Sequence, residues 1–177
     1  MRWQSRALDA SHDLSRFHSG RDALDLWLRD QAVRGERAGV SRTTVWTAPD
    51  DPIVVAFHAV APTRFVRADL PSRALSAGYT VVPGYLIGRL ALDQTLHGQG
   101  LGSQLLLDAL ERIVSAATEA GGRLIAVDAL DDHAHRFYRH HDFEPIEGSE
   151  RLVMKISTAR AVLGRGRLNH ASSGPCR

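Results

Sequence analysis

Three glycines and one tyrosine carry most of the chemistry in this 177-residue chain. In "HGQGLGSQLL", which begins at His97, Gly98, Gly100 and Gly102 stand at the head of a leucine-rich helical pattern. Glycines there leave successive backbone N–H groups bare, and the positive end of the helix dipole favours an anion, so a pyrophosphate fits this turn. A dinucleotide-binding turn describes it poorly. Ser103 stands where the third glycine of G-x-G-x-x-G belongs, Asp93 to His97 separate the strand pattern from the first glycine, and only one βαβ unit is present. The tyrosine lies in "DDHAHRFYRHHDF", from Asp131 to Phe143, among four histidines. Zinc on a helix wants ligands four residues apart, but His135 would face Asp131 or Arg139 and His133 would face Phe137, and arginine and phenylalanine cannot ligate. No metal is expected, and the histidines read as a solvated helix face. Tyr138 remains as the residue to weigh.

The elements that must position these groups follow from periodicity. "SGRDALDLWLRDQAVRG" spaces Leu24, Trp27, Leu28 and Ala32 as one helical face over about residues 21 to 36, with Ser19 and Asp22 placed to cap it. "RTTVWTA" and "PIVVAFHAVA" are β-branched runs parted by "PDDP" and read as an antiparallel pair. Residues 62–84 hold three prolines and little periodicity, which predicts a loop or short helix and then re-entry into the sheet. "YLIGRLALD" is a strand, "GSQLLLDALERIVSAATEA" a helix with a Leu105, Leu106, Leu110, Ile113 stripe, "RLIAVDA" a buried strand, "DDHAHRFYRHH" a helix capped by Asp131 or Asp132, and "RLVMKI" a last strand. Two strands joined by a helix of about 20 residues form a right-handed parallel crossover, so the sheet is mixed.

Length fits one domain over residues 1–157, and the loss of apolar pattern beyond it predicts a disordered basic tail over 158–177. The pI of about 9.1 does not by itself indicate nucleic acid: without the arginines at 160, 165, 167 and 177 the body has 18 basic against 20 acidic groups. Any RNA site must come from local clustering. Cys176 is the only cysteine, so no disulfide or cysteine–zinc site can form within the chain. No apolar run reaches membrane-spanning length, and aspartates occupy the place of a signal-peptide core, so a cytoplasmic protein away from membranes is expected.

"HGQGLGSQLL" resembles the R/Q-x-x-G-x-G/A loop of the GNAT N-acetyltransferases, with His97 where that family usually has Arg or Gln. The resemblance implies an α/β (α+β) GNAT fold, a mixed central sheet with a splayed parallel strand pair and flanking helices. It implies acetyl-CoA as acetyl donor, its diphosphate on the backbone of His97, Gly98, Gln99, Gly100, Leu101, Gly102 and Ser103. The pantetheine arm would pair with Leu90, Ala91 and Leu92, and Asp131 joins the cofactor-binding set. "AHRFYRHHDF" resembles the family's A-x-x-FY-x-x-x-GF segment, with Asp142 in place of glycine. By that resemblance Tyr138 is catalytic, hydrogen-bonding the sulfur and protonating the departing thiolate. A phenol of pKa about 10 keeps its proton at neutral pH, and donation to a thiolate is uphill by about 1.5 units, so hydrogen-bond stabilisation in a dry site must contribute.

A lysine is only about 0.1% neutral near pH 7.4 whereas an α-amine is tens of per cent neutral, and no carboxylate base is evident, which favours an α-amine substrate. "F-x-SG-x-x-x-LD" at Phe17 and "IGRLALD" at Ile87 further resemble the GNAT toxins of type II toxin–antitoxin pairs, over about residues 10 to 156. That implies acetylation of the α-amine of aminoacyl-tRNA, a block of translation, a ribbon-helix-helix antitoxin and a homodimer. Arg89, a charge in an otherwise apolar strand, is then the first candidate for tRNA, followed by Arg64, Arg67 and Arg73 on the long loop and Arg34, Arg37 and Arg42 after the first helix. Two other readings stay open: acetylation of a small-molecule amine or a protein N-terminus, and a non-catalytic module that binds acyl-CoA or a partner.

Overall fold

The structure is a computed structural model and describes residues 3–171. Seven strands form one mixed sheet in the order β1 (Gln4–Ala7), β2 (Arg42–Thr47), β3 (Val54–Val66), β4 (Val81–Leu92), β5 (Leu124–Asp128), β7 (Arg151–Lys155), β6 (Glu144–Pro145), with one parallel pair. Contacts gather into two compact units, each built from two stretches of chain: residues 1–62 with 86–109, and residues 63–85 with 110–177.

The first unit opens with β1 (Gln4–Ala7), which pairs antiparallel with β2 (Arg42–Thr47). The sequence gives no strand signal for β1, because three of its four residues are exposed and the alternation is lost. The expected first helix is two helices, α1 (Asp22–Asp30) and α2 (Ala32–Ala38), broken at Gln31 and ended by Gly39 at φ 71°. Neither Ser19 nor Asp22 caps α1. Arg21 is the N-cap and makes no side-chain capping bond, while the Ser19 hydroxyl is given to Asp25. Leu24, Leu28 and Ala32 pack with Phe17, Val45, Val54, Phe57 and Ala91 on one face of the sheet. On the other face Trp46, Ala56 and Leu105 pack together, with Trp3, Val55, Leu90 and Leu92 against them.

β3 (Val54–Val66) pairs antiparallel with β2 and is longer than the expected strand, running through Pro62. A bond from the Arg67 amide to the Thr80 carbonyl (2.9 Å) holds its far end to the chain entering β4, so much of the predicted loop belongs to a hairpin.

In the second unit that hairpin carries α3 (Arg73–Ser76) and leads into β4 (Val81–Leu92). Arg123 caps α3 from outside, donating from Nε to Leu75 O (2.7 Å) and from Nη2 to Ala74 O (2.9 Å). Gly84 is required by close approach: a Cβ there would lie 2.2 Å from the Leu124 carbonyl oxygen and 2.6 Å from the Phe65 ring. α4 (Leu101–Ala120) buries the predicted stripe, Leu105, Leu106, Leu110 and Ile113. β5 (Leu124–Asp128) and β7 (Arg151–Lys155) pair antiparallel, with the short β6 (Glu144–Pro145) on the far side of β7. Between β5 and β6 lies α5 (Asp132–His140), capped by Asp131.

The expected tail disorder is corrected over much of its length. α6 (Ile156–Ala171) continues directly from β7. Ile156 and Ala159 are buried and Val162 and Leu163 half-buried, a helical face spaced i, i+3, i+6 and i+7 that small residues and glycine hide in the sequence. Residues 172–177 of the predicted tail lie outside the described residues.

Candidate active site

The glycine turn in the first unit is built from its approach inward. Asp93, at the end of β4, accepts from the Thr95 amide (3.0 Å) and hydroxyl (2.7 Å) and from the His18 amide (2.9 Å). Burial pushes its carboxyl up, but the bonds from Thr95 and His18 outweigh it and hold the group below the usual carboxylate range. The His18 carbonyl returns a bond to the Gln94 amide (2.9 Å). Asp25 in turn accepts from the Ser19 hydroxyl (2.5 Å), the Ser19 amide (2.9 Å) and His18 Nδ1 (2.8 Å). Gly20, at φ 83°, has Gln94 so near that a Cβ would sit 2.3 Å from its amide nitrogen. The F-x-SG-x-x-x-LD stretch is therefore a clasp: Asp25 fixes Ser19 and His18, and His18 fixes the end of β4 from which the turn departs.

Beyond the clasp, Gly98 (φ 74°) and Gly100 (φ 72°) take left-handed conformations, and open space lies where their side chains would be. Gly102 is in the first turn of α4, where no acidic residue stands. His97 and Gln99 are exposed and turn back on the chain, His97 Nε2 to Leu92 O (3.1 Å) and Gln99 Nε2 to Thr95 O (3.0 Å), so the backbone is left to meet a ligand. Leu90, Ala91 and Leu92 spend their side chains on the two core clusters. These features fit a diphosphate: open left-handed glycine backbone, a helix N-terminus and no acid in the first turn of that helix.

The same helix carries a group that the periodicity reading missed. Asp108 Oδ2 accepts from Ser5 Oγ (2.6 Å) and Trp46 Nε1 (2.8 Å) and lies 3.3 Å from His58 Nε2. Burial opposes its charge, but the bonds from His58, Ser5 and Trp46 hold its pKa down to about 2. The sequence signal was an aspartate within the leucine stripe, placed to face strands that carry a tryptophan and a histidine.

In the second unit Tyr138 is buried on α5, 8% exposed. Burial, and then the charge of Asp128, push its phenol up to about 12. Asp128 is itself held by Arg151 through two bonds, Nε to Oδ1 (2.7 Å) and Nη2 to Oδ2 (2.9 Å). α5 ends in a Schellman arrangement: Phe143 N–H donates to Tyr138 O (3.2 Å) and Asp142 N–H to Arg139 O (3.3 Å), with Asp142 at φ 65°. This is why the family's glycine belongs at position 142.

The other predicted residues have mixed fates. Asp131 accepts from the Ala134 amide (2.7 Å) as a helix cap. His141 Nδ1 bonds Phe137 O (2.8 Å), and His133 and His140 are exposed. Ser103 is half-buried in the first turn of α4. Arg89 has no ion pair among the described residues; it lies over the Trp27 ring and donates to Gly88 O (2.5 Å). Arg64, Arg67 and Arg73 are exposed in the second unit, Arg67 reaching Gly78 O (3.5 Å). Of the later arginines, Arg42 pairs with Glu36 (3.1 Å), while Arg34 and Arg37 are exposed.

Comparison with known proteins agrees with this geometry. The acetyltransferase (GNAT) domain family matches residues 41–145. A tRNA-acetylating toxin of Mycobacterium tuberculosis is 40% identical over 161 residues, covering 90% of this chain and 95% of the relative. The structure of AtaT complexed with acetyl-methionyl-tRNAfMet superposes with a TM-score of 0.83 at 30% identity, over 91% of this chain and 99% of that one. A mutant AtaT toxin bound to the C-terminus of the antitoxin AtaR and acetyl-CoA gives 0.78 at 28%, over 90% and 97%. With its glycine turn at the head of α4, its α5 tyrosine and these matches, the chain belongs to the GNAT acetyltransferases.

Proposed function

We propose that this chain is a toxin that transfers acetyl from acetyl-CoA to the α-amine of aminoacyl-tRNA and thereby blocks translation. The observation that carries the reading is the turn at the head of α4, where Gly98 and Gly100 hold open, left-handed backbone next to a helix start free of acids. The identity to a tRNA-acetylating toxin supports the substrate.

Acetyl-CoA supplies the activated acetyl group when bound. The His97 amide donates to the Gln94 carbonyl (3.1 Å), so the amides from Gly98 onward hold the diphosphate, and the backbone of Leu90, Ala91 and Leu92 lines the pantetheine arm. Tyr138 donates a hydrogen bond to the sulfur as negative charge develops there. With a phenol near 12 and a thiol near 8.5, full proton transfer is uphill by about 3.5 units, so the hydroxyl acts chiefly as a donor in a dry site. An α-amine is partly neutral at pH 7.4 and can attack without a dedicated base. Arg89, Arg64, Arg67 and Arg73 belong to the substrate side of this reading, as contacts to RNA phosphate.

A ribbon-helix-helix antitoxin and a homodimer complete the proposal; an antitoxin C-terminus bound to a similar toxin supports the first. Work on charged tRNA belongs to the cytoplasm, and among the described residues no helix is long and apolar enough to cross a membrane. Radiolabelled acetyl-CoA incubated with a charged tRNA pool tests the function: label on the aminoacyl ends is expected. Label on small amines or protein N-termini alone would replace the substrate, and tight CoA binding without any transfer would leave a binding module.

A further inference from the structure

Three aromatic and cationic groups are stacked in the first unit. Phe57, fully buried, lies parallel to Trp27, with ring centroids 5.9 Å apart and planes 9° apart. Over the Trp27 ring lies the Arg89 guanidinium, its central carbon 5.4 Å from the ring centroid. Arg89 is exposed, on the strand that runs through Leu90, Ala91 and Leu92 to the glycine turn. One of its five N–H donors is spent on its neighbour's carbonyl, Gly88 O, at 2.5 Å. Among the described residues no carboxylate pairs with it, although α1 carries Asp22, Asp25 and Asp30. Asp25 is committed to Ser19 and His18.

An exposed arginine ordinarily samples many rotamers, and ordering it on a ligand costs conformational entropy. A guanidinium is weakly hydrated and stacks readily on an aromatic face, which holds the side chain still while leaving its donor edge free. Trp27 is itself held in place, since it stacks on the fully buried Phe57 and packs against the core cluster that Phe57 belongs to. The stack therefore presents a pre-ordered cation with unused N–H groups and, among the described residues, no counter-ion, an arrangement matched to an oxyanion with several acceptors.

We infer that Trp27 is a positioning residue for RNA, holding the Arg89 guanidinium so that its free donors meet a phosphate of the aminoacyl-tRNA substrate. This rests on the proposed function for the identity of the RNA, and it adds a residue on α1 that nothing in the glycine turn or the tyrosine segment requires. Phosphate is preferred to a base because the fork is cationic and directional.

The test measures binding of uncharged bulk tRNA to the full chain across a salt series. Arg89→Ala should weaken binding about 10-fold and lower the slope of log affinity against log salt by about one. Trp27→Leu should weaken it about 3- to 10-fold, the range of a cation–π contact. The double variant should bind no more than about two-fold worse than Arg89→Ala, because a positioning residue has nothing left to position. Trp27→Phe should recover most of the loss, and CoA affinity should not change in any of the four. Additive losses in the double variant would overturn the inference, since they indicate a general structural role for Trp27. So would unchanged tRNA binding in Arg89→Ala, a variant that leaves the core intact. Acetyl transfer to charged tRNA is assayed in parallel. Coupled binding losses without any transfer support the RNA contact and sink the catalytic reading, whereas transfer with uncoupled losses sinks this inference alone.

Discussion

Phe143 lies edge-on against Tyr138, ring centroids 5.6 Å apart at 63°, while its amide donates to the Tyr138 carbonyl at 3.2 Å. The side-chain contact and the backbone bond are the two halves of one helix-ending motif, so the turn that stops α5 also grips the ring of the proposed catalytic residue. Phe137 meets the same ring at 5.2 Å and 68°. The phenol ring is thus set by packing.

Tyr138→Phe is expected to lower the acetyl-transfer rate by about 100-fold or more while CoA affinity changes little, because the donated hydrogen bond strengthens only as the thiolate forms. Phe143→Leu should lower the rate less, about 3- to 10-fold, by loosening the ring. Steady-state rates beside CoA titration of each variant check both, and a variant with full activity at position 138 excludes the role.

The phenol near 12 fixes the pH profile. A tyrosine held above its ordinary value stays protonated through the working range, so its ionisation cannot produce a fall in rate below about pH 10. The acid side should instead follow the substrate α-amine, rising through about pH 7.7–8.0. In stability terms the raised pKa favours the fold fully below about pH 10, and that contribution is lost as pH climbs through 12. A descending limb in kcat/KM near pH 9 that disappears in Tyr138→Phe would contradict this.

Asp142→Gly should stabilise the protein by about 0.5–1 kcal/mol, as relief of a left-handed aspartate exceeds the added freedom of the unfolded chain. Arg165 lies 3.9 Å from Asp142, but both side chains are well exposed, so losing that pair costs little. Urea midpoints of the two proteins give the sign.

Asp108 ties α4 to the strands of the first unit. Its pKa falls from an ordinary 3.8 to about 2, and its side chain is only 16% exposed, so its charge contributes about 2 kcal/mol at neutral pH. Because the folded pKa is depressed, that stability is complete above about pH 4 and is lost as pH falls through 2. Asp108→Asn should be less stable at pH 7 and show a flatter loss of stability between pH 4 and pH 2. Identical acid-unfolding curves for the two proteins would mean that the carboxylate has no such role.

The glycine turn at the head of α4 and the helix that carries Tyr138 were readable in one dimension. Gly98 and Gly100 announced a turn at a helix start and the Tyr138 segment a short helix, because such features depend on residue type and periodicity within a few residues; the left-handed φ values at 98, 100 and 142 came with the structure. The tail was misread for a local reason: over residues 156–165, α6 fully buries just Ile156 and Ala159, too little apolar signal to stand out among glycines and arginines. β1 was invisible because its support is pairing with β2, 35 or more residues away, and not its own side chains.

What the chain order determined by itself was the glycine turn, the tyrosine helix and the alternation of strands around them, all short-range consequences of backbone geometry and hydrophobic spacing. Only the tertiary structure decided the partners of isolated polar groups: Asp25 with Ser19 and His18, Asp108 with Ser5, Trp46 and His58, and Arg89 with Trp27 in place of an acid. Each of those choices depends on which side chains arrive opposite one another when distant segments pack, and a buried or half-ordered charge takes the partner that packing provides.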